Sequence, residues 1–400
     1  MSDDRTTISD VGERLREARK ARGLSQEELA QALGLSRPTY IAIEQGKRHA
    51  KPRELVTLAK ILGRQVHELV RPSAPVVGLA AQFRVGSGAQ AEAMTASVDD
   101  LQRLADDVVE LETLVSATAV RLYPEPYDIS RFPIDSAAEQ VADSERRRLG
   151  LGDGPVSRLR EILEEDIGIR IFAVPLPSSV AGLFGHAEPA GSCIALNARH
   201  PHERQRWTLS HEYAHFLTSR WAAEVTPVQT NRQPAQERFA ESFAARLLMP
   251  ASGLTRRFQS VVRGRSGQFT AGDLLQLADL YEVSSEAMAL RLEDLRLLGS
   301  GWWGSLRARG LKVELAREAL GLVETSRDTE LLPRRVRYLA VEAYLKGDLS
   351  EGQLAHLLRQ DRVTARRTVR ALTESADIDG DGRTVGYSWE PGLRDEVVAG

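Results

Sequence analysis

The chain contains almost no cysteine and no long apolar run. Its single cysteine, Cys193 among 400 residues, excludes an internal disulfide framework and any cluster of thiolate metal ligands. Such cysteine usage suits a reducing compartment. The polar start at residues 1–5 lacks the apolar core of a signal peptide, and no apolar run approaches the roughly 20 residues that a membrane span needs. We therefore expect a cytoplasmic protein that makes no membrane contact.

The net charge of −3 is small for a chain of this length, but the charge is unevenly distributed. Residues 11–71 hold 13 lysines and arginines against 7 aspartates and glutamates, a local charge of +6, and the remainder is acidic. A basic segment joined to an acidic body points to a nucleic-acid contact. A solvated charged surface is the alternative.

Residues 25–44 have the pattern of two short helices joined by a glycine turn. Ser25 followed by Glu28 forms a capping-box signature that opens the first helix, and Gly34 ends that helix. Ser36 then caps the second helix. Two short helices in this arrangement predict a helix-turn-helix.

The stretch GLSQEELAQALGLSRPTYIAIEQGKR resembles the Xre/lambda-repressor family of DNA-binding domains, and the resemblance continues through ELVTLAKILGRQVHEL to cover about residues 11–70. It implies that the second helix lies in the major groove of double-stranded DNA. The residues that this resemblance puts at base edges are Ser36, Arg37, Thr39 and Tyr40. Those that it puts at phosphates are Gln26, Lys47 and Arg48. Family members usually bind as dimers on paired half-sites, so we expect a homodimer.

Residues 73–149 are expected to form a linker followed by a helical connector. The run rich in Pro, Gly, Ala and Ser that ends near residue 96 is typical of a linker. Apolar residues then alternate at spacings of three and four, a heptad seam of about three repeats. Its members are Leu101, Leu104, Val108, Leu111 and Val115, followed by Thr118 and Leu122. Packing of this seam against the chain's own body and dimerisation are both compatible with the pattern.

Two histidines four residues apart are the most specific chemical signal in the chain. His211 and His215 lie on an apolar stretch with helical periodicity, so both rings occupy one face, one turn apart. A second amphipathic helix, which ends at Pro250, follows and carries Glu237 and Glu241 one turn apart. Two histidines and a glutamate, with a fourth position open to water, are the ligand set of a hydrolytic zinc site.

The segments RQRWTLSHEYAHFL and ERFAESFAARLLMP resemble the ImmA/IrrE family of zinc metallopeptidases, and the resemblance covers roughly residues 150–298. It implies that a Zn²⁺ ion is bound by His211, His215 and Glu237. It also implies that Glu212 is the general base that activates water for peptide hydrolysis. Glu241 falls where the family more often has Asn or Asp, and we expect its carboxylate to orient a ligating histidine.

Other polar residues near these motifs have weaker signals. Tyr213 is on the other face of the histidine helix and is expected in the core, and Cys193 is expected to be a packed thiol. A further acid or oxyanion donor cannot be identified from the sequence. His186, His200 and His202 are candidates by their chemistry alone.

Residues 299–400 match no family as firmly. Helical patterns cover residues 333–344, and a further pair of short helices is predicted at residues 350–358 and 363–372. Four arginines cluster in this last segment, namely Arg362, Arg366, Arg367 and Arg370. The pair can be a second helix-turn-helix or part of a helical bundle for protein contact with a solvated basic face.

The predicted fold is therefore mainly α with a small sheet, of the α+β class, in four segments. These are a helix-turn-helix domain at 1–72, the connector at 73–149, a zincin-like metallopeptidase domain at 150–298 and a helical domain at 299–400. The predicted function is a DNA-binding regulator with a zinc-dependent endopeptidase that cleaves a regulatory protein partner or itself. The alternative is a non-enzymatic repressor or antitoxin-like regulator whose zinc domain is a sensor or an interaction module.

Overall fold

The computed structural model describes residues 11–62 except 13, 17 and 21, the single residues 66 and 69, and the ranges 89–117, 121–220 except 188, 224–227, 235–322, 330–378 and 384–388. The chain divides into two compact units, residues 1–76 and residues 77–400. Within the described part, no helix is both long enough and apolar enough to cross a membrane.

The first unit is helical. Helical residues between positions 11 and 20 precede α1 (Gln26–Ala32), α2 (Arg37–Glu44) and α3 (Pro52–Leu62). The predicted capping box forms at the start of α1, because the Ser25 side chain accepts from the Glu28 backbone and the Glu28 side chain accepts from Ser25. These helices enclose one apolar core built from Leu15, Ala18, Leu29, Ala30, Tyr40, Ile43, Leu58, Ala59, Leu62 and Leu69.

The second unit begins with α4 (Ala89–Leu114), α5 (Ile134–Arg148) and the short α6 (Leu159–Ile162), which continues as one π-helical turn. The predicted heptad seam lies on α4. Its members Leu101 and Leu111 are buried, and α4 packs against the helix Arg334–Leu345 and the strand Arg170–Val174 of the same unit. The seam therefore packs within its own unit, which is the first of the two alternatives. Thr118 lies outside the described residues.

A small mixed sheet forms the middle of the second unit. Its strands are β1 (Arg170–Val174), β2 (Val180–Ala187), β3 (Gly191–Asn197) and β4 (Glu224–Pro227), in the order β1-β3-β2-β4. β1 runs parallel to β3, while β2 is antiparallel to both β3 and β4. Every residue of β1, β2 and β3 is buried, as expected for strands covered on both faces.

Seven helices follow or interrupt this sheet between residues 202 and 319. They are α7 (His202–Thr218), α8 (Ala235–Leu248), α9 (Ala251–Gly264), α10 (Ala271–Leu280), α11 (Ser285–Asp294), α12 (Trp302–Ala308) and α13 (Val313–Ala319). α7 packs on β2 and β3 on one side and on α8 on the other, so it is the central helix of the core. The largest apolar cluster joins these elements to α5 and α6.

The C-terminal part consists of α14 (Arg334–Leu345), α15 (Glu351–Leu357) and α16 (Arg362–Thr373), followed by the strands β5 (Glu374–Ile378) and β6 (Thr384–Ser388). The helices were predicted, but the antiparallel β5–β6 pair was not. The architecture is α+β, mainly helical with a small sheet, as the sequence predicts.

Candidate functional site

The histidine pair lies on the most deeply buried helix of the second unit. From Thr208 to Leu217 every residue of α7 is buried, because the helix is enclosed by the sheet and by α8. The exposed fraction is 4% for His211 and 1% for His215. Their ring centroids are 4.9 Å apart, which places both imidazoles on one face of the helix.

α8 brings a third ligating side chain to this face. Glu237 Oε2 lies 3.4 Å from His211 Nε2, and Glu237 Oε1 lies 3.4 Å from His215 Nε2. The ligand atoms of the three residues all lie within 4.8 Å of one another. A tetrahedral ion with bonds of about 2.1 Å needs ligand atoms about 3.4 Å apart. The donor types and their separations therefore fit a zinc ion.

The charges in this cluster favour proton or metal binding by the imidazoles. Burial lowers the pKa of His211, but hydrogen bonding to Glu237 and Glu241 outweighs burial and raises this pKa to about 9. Burial raises the pKa of Glu237, yet hydrogen bonding from the two histidines outweighs it and holds the pKa well below its usual range. A metal ion that binds here displaces the proton from His211.

Glu212 lies on the same helix and is fully buried. Its carboxylate faces strand β2 at Gly182, where a Cβ atom would lie only 2.7 Å from Glu212 Oε1 and 2.6 Å from Thr208 Cγ2. Glycine at this position therefore makes room for the carboxylate beside the sheet. A buried carboxylate next to a group of metal-ligating side chains is suited to accept a proton from water.

Glu241 contacts the His211 ring at the nitrogen that faces away from the other ligand atoms, and Trp207 contacts Glu241. Glu241 Oε2 lies 3.3 Å from His211 Nδ1, and Trp207 Nε1 donates a hydrogen bond of 3.0 Å to Glu241 Oε1. This carboxylate can therefore hold the His211 ring in the orientation that presents Nε2 to a metal. Trp207 was not singled out from the sequence, although it precedes His211 by one helical turn.

Tyr213 and Cys193 lie in the core, as predicted. Tyr213 is buried, stacks on Phe216 and donates a hydrogen bond to Glu145 from α5. Cys193 is a buried free thiol on β3 whose pKa is raised to about 11 by burial.

The other histidines lie on separate features. His186 Nδ1 pairs with Ser192 Oγ at 2.9 Å, and His202 Nε2 lies 3.7 Å from Glu282. Burial lowers the pKa of His200. Among the described residues, the group able to hold a metal consists of His211, His215 and Glu237.

A cavity of about 1380 Å³ is lined by Trp207 and Glu241, the two side chains behind His211, and by none of the three ligating residues. Residues of α8, α11 and α13 form its walls. Arginines and acidic residues alternate around it with apolar side chains such as Leu290 and Val313. The cavity is large enough for several residues of an extended peptide.

The helix-turn-helix of the first unit exposes only some of the residues predicted to contact DNA. Arg37 and Lys47 are exposed, and Gln26 is half-buried and donates a hydrogen bond of 2.8 Å to Glu44. Arg48 forms a two-bond ion pair with Glu54, at 2.8 and 3.0 Å.

Ser36 and Thr39 cap the N-terminus of α2. The Ser36 hydroxyl accepts from the Thr39 backbone N–H and lies 2.8 Å from the Thr39 hydroxyl. Tyr40, in contrast, is fully buried in the core. The prediction that Tyr40 reaches base edges is wrong, because its helical position faces the other helices of the unit.

Comparison with known proteins finds one family match in each of the two units. Residues 15–69 match the helix-turn-helix family model, and residues 164–293 match the model of the IrrE N-terminal-like domain, Peptidase M78. A stretch of 60 residues is 38% identical to the cryptic phage CTXphi transcriptional repressor RstR of Vibrio cholerae. That match spans 15% of this chain and 54% of the repressor, about half its length.

A search of solved structures aligns 91% of this chain with 93% of ComR from Streptococcus suis, at 10% identity and a TM-score of 0.16. A TM-score this low carries no argument about a shared fold. The assignment therefore depends on the two family models. On this basis the chain joins a helix-turn-helix module to an IrrE N-terminal-like domain of the Peptidase M78 family.

Proposed function

We propose that this protein is a DNA-binding transcriptional regulator that carries a zinc-dependent endopeptidase. The observation that supports this most strongly is the convergence of His211, His215 and Glu237 on one point beside the buried carboxylate of Glu212. Three protein ligands with a fourth position left for water are typical of catalytic zinc sites rather than structural ones. The match to a peptidase family supports the same reading.

Each side chain of the site has a role in this proposal. His211, His215 and Glu237 hold the ion, and Glu241 fixes the orientation of the His211 ring. When bound, zinc lowers the pKa of a water ligand to about 7 and polarises the peptide carbonyl. Glu212 accepts the proton of the attacking water and returns it to the departing amine. The cavity lined by Trp207 and Glu241 accommodates peptide residues away from the cleaved bond, since neither Glu212 nor a ligating residue lines it.

The substrate in this proposal is a regulatory protein, either a partner of this chain or the chain itself. A helix-turn-helix in the same chain brings the peptidase to DNA, where repressors and related regulators are found. We further infer that the protein acts in the cytoplasm as a homodimer, since one helix-turn-helix monomer contacts too few base pairs to be selective.

Substitution of the general base tests the enzymatic part. Purified Glu212→Gln protein should bind one zinc ion with the affinity of the wild type, because Glu212 is not a ligand, but should lose cleavage by at least about 100-fold. The measurement is metal analysis, together with a mass-spectrometric search for new protein termini in cells that carry either form. Equal cleavage products from both forms would contradict peptidase activity and favour a non-enzymatic sensor.

The DNA-binding part is tested at Arg37, the exposed arginine at the start of α2. The probe is a duplex sequence that the wild-type chain selects from a random pool. The Arg37→Ala protein should bind this duplex with about 1–3 kcal/mol less binding free energy than the wild type. Specificity at one base pair should relax at the same time, because arginine reads guanine through two hydrogen bonds. Unchanged affinity and preference would show that Arg37 does not read DNA.

A further inference from the structure

The C-terminal region has the element order of a known class of DNA-binding module. Three helices, α14, α15 and α16, are followed directly by the antiparallel pair β5–β6. In winged helix-turn-helix modules, two short helices joined by a turn are likewise preceded by a supporting helix and followed by a β-hairpin. From the sequence alone, a helical bundle for protein contact was the favoured reading of this region.

The α15–turn–α16 segment repeats the geometry of α1–turn–α2 with a constant shift of 325 residues. α1 spans seven residues, Gln26–Ala32, and α15 spans the corresponding seven, Glu351–Leu357. Four residues then separate the helices in both segments, and the second helix begins at Arg37 in the first and at Arg362 in the other. The first helix and the turn thus have the same length in both segments, whereas the second helix has 8 residues in the first and 12 in the other.

The hydrogen bonds that open the first helix are repeated too. Ser25 and Glu28 form a capping box at α1, and Ser350 and Gln353 form one at α15, again 325 residues later. The two residues that follow in each capping box are Leu29 with Ala30 and Leu354 with Ala355, and all four are buried. The same face of each first helix therefore enters its core.

The turns match bond by bond. The second residue of each turn is left-handed, with φ of 65° at Gly34 and 54° at Arg359. Gly34 N–H donates to Gln31 at 3.0 Å, and Arg359 N–H donates to His356 at 3.0 Å. The backbone N–H of the third turn residue then donates to the carbonyl of the buried alanine of the first helix, at 2.8 Å in the first segment and 2.9 Å in the second. A non-glycine residue in this conformation costs free energy, so the turn is maintained by the surrounding structure.

The second helices start with the same arrangement of polar groups. Ser36 caps α2, and its hydroxyl lies 2.8 Å from the Thr39 hydroxyl. At the start of α16, the Asp361 carboxylate accepts a hydrogen bond of 2.6 Å from the Thr364 hydroxyl. In a helix-turn-helix the N-terminal part of the second helix enters the major groove.

The exposed face of α16 is strongly basic. α16 contains four arginines and no acidic residue, and all four are exposed, whereas Ala365 on the opposite face is fully buried. Arg366 forms an ion pair of 2.9 Å with the half-buried Glu351, while the Arg366 side chain itself remains largely exposed. The apolar side chain of Val363 is exposed among these arginines. The core of a protein interface is depleted in charged residues. Four arginines around one valine instead complement a phosphate backbone.

We propose that residues 334–388 are a second DNA-binding module, a winged helix-turn-helix whose α16 lies in the major groove of double-stranded DNA. α14 packs against α4 and holds the module on its unit, which leaves the arginine face of α16 outward. Arg362 and Arg367 contact phosphates, and the β5–β6 pair follows the adjacent backbone. The chain therefore contacts DNA through both of its units.

The test uses the full-length chain with the first module silenced by Arg37→Ala/Lys47→Ala. The probe is a fluorescent 30-base-pair duplex of mixed sequence, titrated at several salt concentrations. This background should bind the duplex with an affinity that falls as salt rises. Adding Arg362→Ala/Arg367→Ala should weaken binding at least about tenfold and reduce the salt slope by about 2, since each phosphate contact contributes about 0.9.

Two controls separate DNA recognition from charge and folding. Arg263→Ala/Arg309→Ala removes the same charge from exposed positions of α9 and the end of α12, and should leave affinity and slope unchanged. Arg362→Lys/Arg367→Lys should retain binding within about threefold, because lysine also neutralises phosphates. Thermal melting shows whether each variant keeps its fold. Absence of duplex binding by the background, or equal effects of the α16 pair and the control pair, would overturn the proposal.

Discussion

At the scale of single residues, the side chains behind the proposed metal ligands decide how well the site is ordered. Glu241 lies 3.3 Å from His211 Nδ1 and accepts a hydrogen bond of 3.0 Å from Trp207. Half of the Glu241 side chain is exposed, so without the indole it would exchange among several rotamers. Trp207 therefore positions Glu241, and Glu241 positions the imidazole.

Removal of this support should weaken metal binding without removing a ligand. We expect Glu241→Ala to lower the zinc affinity about 10- to 100-fold, and Trp207→Phe to lower it less, because only the orientation of the carboxylate is lost. Competition with a chromophoric chelator measures both. Glu286→Ala, at an exposed acid that lines the same cavity, serves as the control. Wild-type affinity in Glu241→Ala would rule out this role.

Gly182 on β2 provides a second test at this scale. A Cβ atom there meets both Thr208 Cγ2 and Glu212 Oε1, so Gly182→Ala should cost about 1–3 kcal/mol of unfolding free energy. Adding Thr208→Ser removes the methyl contact and should restore part of that stability. Cleavage should stay impaired in the double variant, because Glu212 is still displaced. Chemical denaturation and cleavage rates measure these effects, and wild-type cleavage by the double variant would contradict them.

At the scale of elements, one buried carboxylate connects the helices of the first unit. Glu44, at the end of α2, forms an ion pair of 2.7 Å with Arg19 and accepts a hydrogen bond from Gln26 on α1. Burial raises the pKa of Glu44, but these hydrogen bonds outweigh burial and lower it below its usual range. The folded unit therefore binds this proton less readily than the unfolded chain does.

The stability of the first unit should consequently depend on pH in a defined window. The contribution of Glu44 is complete above its unfolded pKa of about 4.3 and is lost as the pH falls below that value. We expect Glu44→Gln to cost about 1–3 kcal/mol at pH 7 and to flatten the decline in stability between about pH 5 and pH 3. Urea unfolding of excised residues 1–76, followed by circular dichroism, checks this. The exposed Glu27→Gln serves as the control, and an unchanged pH profile in Glu44→Gln would refute the assignment.

At the scale of the whole molecule, the two units have separate cores. Among the residues that the structure describes, the core of the first unit, around Tyr40 and Leu58, contains none from the second, whose largest cluster surrounds α7 and α8. The proposed zinc site lies wholly within the second unit. Metal binding therefore stabilises only that unit.

Calorimetry of the full chain should show this separation. We expect two unfolding transitions, and zinc should raise the transition temperature of only one of them. At a free zinc concentration 100 times the dissociation constant, the free energy of unfolding of that unit should increase by about 2.7 kcal/mol. Glu44→Gln should lower only the other transition. A single transition that responds to both changes would mean that the units unfold together.

The sequence predicted most of the local structure of this protein. Helical periodicity placed His211 and His215 on one face, and the capping pattern at Ser25 defined the start of α1. Both depend on interactions within about four residues, which the sequence displays directly. The position of Glu237 opposite the histidines was also predicted, but only through the resemblance to a family.

Contacts between distant residues were decided by the tertiary structure. Tyr40 has the sequence context of a base-contacting residue, yet packing of the surrounding helices buries it. The support of Glu241 by Trp207, the fit of Glu212 against Gly182 and the match between two turns 325 residues apart arise only when the chain folds. Hydrophobic burial and close packing select these contacts, and neither is encoded in any short stretch of sequence. The ligating residue types and their helical spacing can thus be read from local sequence, whereas the side chains that support them follow from long-range packing.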